Sequence, residues 1–310
     1  MASDAPRTRA RTHPTMAFSV VVDLMPKPIT SPAPIYRIER RLIPRARSAM
    51  RQAVAAWRAA LPVTTNATQI ATLDRAALDQ LAAVTIQATR LAGEAAAAQV
   101  NDALVSSLRF DLTNPAAVAW TQANAARLVT GITEEAQAAL RWVVEQSLTQ
   151  GLSIETVMAN IRSLVGLTQG QAEAVESEFA RQVASGASDL AAFAAADAYA
   201  AELHTYRTEV IARTEVIRSL NAGQELLWSQ GVASGEIRAD RMERIWITTE
   251  DERTCPICGA MDGETTDIGA PWMEPGAGAP LLVMDGNPCY TPNMVHPNCR
   301  CGEALQRKED

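Results

Sequence analysis

Between residues 70 and 91, apolar side chains return at every third or fourth position: Ile70, Leu73, Ala77, Leu81, Val84, Ala88 and Leu91. That recurrence puts them on one stripe of an α-helix. The stripe continues through Val100, Leu104 and Leu108, with a bend or interruption expected at Gly93. It reads as internal packing rather than as a separate coiled coil. Upstream, the pattern turns helical at Ile35, with a break expected at Pro44 and continuation to about Leu61. Pro62 and the Thr-Thr-Asn after it mark a loop. Residues 1–34 carry Pro26, Pro28, Pro32 and Pro34, which deny helix there and predict an extended arm.

Polar punctuation predicts the next elements. Asn114 can cap a helix that opens on Pro115, which suits a first helical position. Thr133 is followed by Glu134 and Glu135, Ser153 by Glu155, and Thr168 by Gln171 at the spacing of a capping box. Gly151 and Gly166 sit where helix ends want a left-handed residue. Residues 115–185 therefore predict several short helices, with a hinge at Ala184–Asp189. An alanine-rich helix should follow and stop near Gly231. Within it, Glu209 and Arg213 are four apart and can pair on the helix surface. From Arg244 to Cys255 the pattern changes to a β-branched and aromatic run, then a polar turn. Residues 263–295 are rich in Gly and Pro without helical period, so a fold there needs a staple.

Composition sharpens this picture. Aromatics are only 5% and alanine is abundant from Ala53 to Ala201, which favours closely approaching helices over a β-sandwich. No apolar stretch is long enough to span a bilayer, and no export signal or membrane contact is expected. The fold class is mostly α: a multi-helix body with long helices, plus a small irregular/β, zinc-ribbon-like C-terminal module. The expected division is a basic N-terminal arm and first helix (1–62), a helical body (63–235) and a Cys/His module (236–310). Charge is uneven. Residues 1–51 hold ten basic and three acidic side chains, a net +7 in a chain of −7, which leaves −14 on the rest. Arg37, Arg40, Arg41, Arg45 and Arg47 are candidates to meet an anionic partner, nucleic acid or an acidic protein face.

All five cysteines lie between Cys255 and Cys301. Cys255 and Cys258 flank a Pro-Ile pair and precede Gly259, a knuckle that lets two sulfurs turn to one point. Far downstream, His296, Cys299 and Cys301 supply a second close-spaced group. Two donors from each half close a tetrahedral site of the kind zinc uses structurally. The spacing does not choose which two of His296, Cys299 and Cys301 complete it, and Cys289 reads as a spare thiol. A redox Cys-x-x-Cys lacks its βαβ setting, and disulfides would require an oxidising compartment. A zinc deaminase would need His-x-Glu, whereas His204 is followed by Thr205 and Tyr206.

Five stretches together resemble a known family. They are Asn114–Val144, Gly151–Val175, Ala212–Gln224, Trp246–Gly263 and His296–Cys301. In that order they resemble the phage head-morphogenesis, or minor capsid, proteins like the F protein of phage Mu. Asp-x-Arg-x-Cys-x-x-Cys followed distantly by His-Pro-x-Cys-Arg-Cys is the most specific part. The 32-residue stretch Glu264–Val295, with Cys289, is long for the family. The resemblance implies a structural, non-enzymatic virion protein of a tailed phage, inside the head near the portal and made in the host cytoplasm. The portal protein would be its partner, with packaged DNA and the major capsid or scaffolding protein as further candidates. It also motivates ion pairs that would anchor the module, from Arg213 and Glu215 to Asp251 or Arg253. The competing readings are a metal-dependent nuclease or peptidase acting in head maturation, with a base among Glu250, Asp251 and Glu252, and an injected effector.

Overall fold

The computed structural model describes residues 28–60, 74–149, 162–249, 251–283 and 286–309. The expected arm before residue 28, the loop at Pro62, Ile70, Leu73, Gly151, Ser153 and Glu250 lie outside them.

The first helix, α1, runs Ala33–Ala60 without the break expected at Pro44. Pro44 faces solvent, so the Arg40 carbonyl it leaves free can be hydrated. The opposite face buries Leu42, Ala46, Met50, Ala53 and Trp57, which holds the helix together across the defect. Pro34 belongs to this helix rather than to the arm, because a first-turn residue has no intrahelical N–H bond to lose. A 3-10 turn capped by Asp74 leads into α2, Asp79–Leu104. Gly93 does not interrupt α2; its missing side chain makes room for the Phe110 ring, 2.4 Å from where a Cβ would sit. Leu108 is buried from the loop after the helix, fixed by reciprocal bonds of 2.8 Å with the Asn101 side chain.

Helix α3, Pro115–Thr149, is one long element where several short ones were expected. Thr133 is not a start: buried, it donates to the Val129 carbonyl at 2.7 Å, satisfying itself mid-helix. Asn114 does cap, accepting from the Ala116 N–H at 3.0 Å. Helix α4, Gln169–Ala184, has the full capping box between Thr168 and Gln171. A turn through Gly186 then leads to α5, Asp189–Ser234, capped by Ser188. It passes the expected stop at Gly231 and ends on left-handed Gly235 (φ 81°). Gly231 is instead a contact glycine beneath Ile237.

Helix α5 is the spine of the molecule. It packs on α1, α2 and α4, and its apolar residues Ala212, Val216 and Leu220 join the core formed by those helices. The approach to α2 is close at Gly223, where a Cβ would lie 2.2 Å from the Thr89 carbonyl oxygen. After α5 come β1 (Met242–Ile247), the short helix α6 (Pro256–Met261), β2 (Thr265–Thr266) and β3 (Gly302–Arg307). The strands form an antiparallel sheet in the order β2-β1-β3, with Arg244 opposite Leu305 and Trp246 opposite Glu303. One face of the sheet end packs on α2 and α5 through Met242, Leu305, Val100 and Trp228. Residues 29–30 lie along the β3 edge, where the Ile29 N–H donates to the Leu305 carbonyl at 2.7 Å. The chain is thus mostly helical with a small β module, as its patterning predicts. No helix among the described residues is long and apolar enough to cross a membrane.

Candidate metal centre

Cys255 caps α6: its Sγ accepts the Cys258 N–H at 3.3 Å, and Pro256 sets the first helical position. This amide-to-sulfur bond turns both sulfurs toward one point. The second half comes from the turn before β3, where Asn298 takes a left-handed φ of 64° and reverses the chain between His296 and Cys299. The two halves converge. His296 Nε2 lies 3.2 Å from Cys255 Sγ and 3.3 Å from Cys258 Sγ, while Cys258 Sγ lies 3.7 Å from Cys299 Sγ. Cys258, Cys299 and Cys301 form a second, overlapping group whose sulfurs all lie within 4.8 Å of one another. All five cysteines are free thiols.

These spacings fit a tetrahedral metal. Zinc–ligand bonds of about 2.3 Å to sulfur and 2.0–2.1 Å to nitrogen put sulfurs about 3.8 Å apart and sulfur about 3.6 Å from nitrogen. The imidazole is oriented as a ligand would be. Its Nδ1–H donates to the Pro297 carbonyl at 2.8 Å, which leaves the Nε2 lone pair aimed at the sulfurs. As thiols, the cysteines crowd one another. Contact with Cys258 pushes Cys299 up to about 12, with Cys301 opposing and burial adding. A divalent cation would draw the protons off and convert that crowding into ligation. The cluster can therefore hold a metal such as zinc. Cys289 stands outside both groups; it is buried and donates to the Thr291 carbonyl at 3.1 Å.

The module is anchored to α5, though not by the expected ion pairs. Arg213 donates to Asn298 Oδ1 at 2.7 Å and pairs with Glu209 at 2.7 Å. Thr214 Oγ1 accepts the Asn298 N–H at 2.8 Å, and Asn221 donates to the Cys301 carbonyl at 3.1 Å. Glu215 instead holds Arg127 of α3 at 2.6 Å. Asp251 takes both terminal nitrogens of Arg300, at 2.6 and 2.5 Å, and that bond holds its carboxyl down at about 2. Arg253 reaches Asp251 through its backbone N–H, at 3.0 Å. The arginines of the first helix sit on a packed element rather than an arm. Arg37, Arg40 and Arg41 are exposed, but Arg45 donates to Gln87 at 2.7 Å and Arg47 pairs with Glu209 at 2.9 Å.

Sequence reasoning missed a second staple. Arg244, fully buried, donates to Glu303 at 3.0 Å and to the Tyr290 carbonyl at 2.8 Å. It also bonds the carbonyls of Asp267 and Ala270, approaches Glu225 at 3.2 Å, and lies over the Trp272 ring. One side chain thus ties both ends of the Gly/Pro-rich stretch to the sheet. Burial pushes Glu303 up to about 8; Arg244 opposes this and Glu225 adds to it. An arginine inside a β-branched and aromatic run was the available signal, because a buried guanidinium requires partners.

Neither a curated protein nor a solved structure matches the chain. The sequence profile described as "Phage Mu protein F like protein" matches residues 138–303. The resemblance over residues 114–137 lies outside that match. The matched region still takes in all of α5, the whole Cys/His cluster and the Arg244–Glu303 pair. Covering more than half of the chain, it establishes that this protein belongs to the Phage Mu protein F-like family of phage head proteins.

Proposed function

We propose that this chain is a minor head protein of a tailed phage, bound at the portal vertex inside the head, with a structural zinc in its C-terminal module. One observation carries the reading: in a chain of this family, donors from both ends of the module converge at tetrahedral spacing beside the spine helix. Its parts would be a basic segment with the first helix (1–62), a helical body (63–235) and the metal module (236–310). The exposed Arg37, Arg40 and Arg41 supply an anion-seeking surface for packaged DNA or an acidic portal face. The major capsid and scaffolding proteins are further partners.

The donor chemistry favours structure over catalysis. Four or more protein donors are available where a hydrolytic metal needs an open position and a nearby base. Of the described candidate bases before the knuckle, Asp251 is committed to Arg300 and held strongly acidic, and Glu252 is exposed. Cobalt substitution tests the metal part: intense thiolate-to-metal absorption with tetrahedral ligand-field bands, unchanged by added anions, is expected. Density of a packaged head tests the location. Absence of this chain from the portal vertex would refute that assignment and leave the metal reading standing.

A further inference from the structure

A cavity of about 640 Å³ opens between α1, α5 and the helical residues 162–163. Among the described residues its wall carries Arg47, Arg51, Arg58 and Arg162 against a single carboxylate, Asp197. On a chain of formal charge −7, this is a concentrated excess of positive charge. The smaller cavity of about 300 Å³ beside the module provides the contrast. There Arg127 and Arg207 are each paired with a glutamate at 2.6 Å.

In the larger cavity, pairing is incomplete. Arg47 is tied to Glu209 at 2.9 Å. Among the described residues Arg58 donates only to the Ser163 carbonyl, at 3.4 Å, and burial lowers its affinity for its proton, with Asp197 opposing. Arg51 and Arg162 make no ion pair among the described residues. His204 Nε2–H donates to the same Ser163 carbonyl at 2.7 Å, and burial, with Arg58 and Arg207 adding, pushes the imidazole down to about 4. A neutral histidine beside Arg51, Arg58 and Arg162, none of which makes an ion pair among the described residues, marks a site with surplus positive potential. Arg47, Arg51 and Arg58 lie four and seven residues apart on one helix face, so they span about 16 Å. Val54, Ala200 and Ala201 form an apolar floor between them. Guanidinium forks recognise phosphate oxygens in pairs, and low-dielectric walls strengthen that attraction.

We infer that this cavity binds a ligand carrying more than one phosphate group, held by Arg51, Arg58 and Arg162 over the apolar floor. The phosphates would come either from a free polyphosphate or nucleotide, or from the backbone of a single nucleic-acid strand. The site is separate from the surface of Arg37, Arg40 and Arg41, which begins about 15 Å further along the helix.

The test uses the full chain with three probes: pyrophosphate by calorimetry, and fluorescein-labelled dT12 and its 12-base-pair duplex by anisotropy. Saturable pyrophosphate binding with weaker dT12 binding identifies a free polyphosphate. Binding of dT12 at least tenfold tighter than pyrophosphate or duplex identifies the strand backbone. The Arg51→Ala/Arg162→Ala variant should lose about tenfold or more for the preferred probe, as expected on removing charge-assisted bonds. For dT12 its log–log salt slope should fall by about 1.4, or about 0.7 per lost phosphate contact. Arg37→Ala/Arg41→Ala should leave that affinity unchanged, which separates this site from the surface proposed above. Arg51→Lys/Arg162→Lys should keep the salt slope. Failure of every probe to bind at millimolar concentration overturns the inference. So does wild-type affinity in an Arg51→Ala/Arg162→Ala protein whose melting is unchanged.

Discussion

Replacing Arg244 by Met is the sharpest probe of how the Gly/Pro-rich stretch stays folded. Methionine keeps most of the length and removes the charge. Two backbone carbonyls, those of Ala270 and Tyr290, would lose their donor, that of Asp267 would keep only the Ala270 N–H, and Glu303 and Glu225 would lose their buried counter-charge. Above about pH 8, where Glu303 is ionised, breaking one side of this buried ion pair costs about 3–5 kcal/mol. The carboxylates can escape part of that by taking up protons, but the carbonyls cannot, at about 1–3 kcal/mol for each unsatisfied group. A net loss of about 3–5 kcal/mol, confined to the module, is therefore expected. Hydrogen exchange reads it locally. The Trp272, Leu281 and Cys289 amides, which bond within this stretch at 2.7–2.8 Å, should exchange about two to three and a half orders of magnitude faster. Peptides from α2 and α4 should be unchanged. Replacing Glu303 by Met as well should recover much of the loss, because an apolar pair can replace a buried ion pair at little cost. Acceleration below tenfold in Arg244→Met would show that the guanidinium is not what holds the stretch.

Three further outcomes follow from the same geometry. A strong chelator should strip about one zinc per chain and abolish protection in residues 255–301, while the far-ultraviolet helix signal persists; a module still protected without metal would count against the site. Glu303 binds its proton more tightly folded (about 8) than unfolded (ordinary value 4.5), so its contribution is full below about pH 4.5 and is lost as pH rises through about 8. Glu303→Gln should flatten the urea-midpoint profile across that window, and an unchanged slope would refute the assignment. Gly223→Ala should cost about 1–3 kcal/mol against the Thr89 carbonyl, whereas Gly131→Ala, which meets nothing within 4 Å in a helix interior, should gain about 0.5–1 kcal/mol. Thermal melting of the two variants gives opposite signs if the α2–α5 approach is as close as described.

Periodicity made the helices legible because burying a stripe is a local decision repeated every turn. Ala88, Val84 and Leu81 lie where their spacing predicts, fully or nearly buried. Punctuation was less reliable because it records what a residue can do, not what its surroundings require. Pro44 breaks nothing, since the buried face of α1 outweighs one missing bond on the wet side. Thr133 begins nothing, since its hydroxyl found the Val129 carbonyl within the helix. At the metal centre, residue spacing grouped the five donors along the chain, and the fold brings them together in space. What spacing could not supply were contacts between residues far apart in the chain. Arg244 and Glu303 meet on one face of the β1–β3 pair only because of its register, and Asn298 finds Arg213 and Thr214 only because α5 passes beneath the turn.

That last contact links the metal to the spine. Asn298 stands between His296 and Cys299, in the left-handed conformation that reverses the chain there. Its side chain and its backbone N–H are both held by α5, at 2.7 and 2.8 Å. Three residues further on, the carbonyl of Cys301 is held by Asn221, about two helical turns along α5. The downstream donors are thus positioned by the helix before any ion arrives, whereas Cys255 and Cys258 are positioned by their own short helix. A cation bridging the two sets ties α6 to α5 through the turn, and Arg244 ties the intervening stretch to the same strands. The module has a small apolar cluster of its own around Trp246 and Trp272, and both staples add to it by fastening the module to neighbours that are already rigid. Any force applied to the module is then transmitted to α5, the helix on which α1, α2 and α4 all pack.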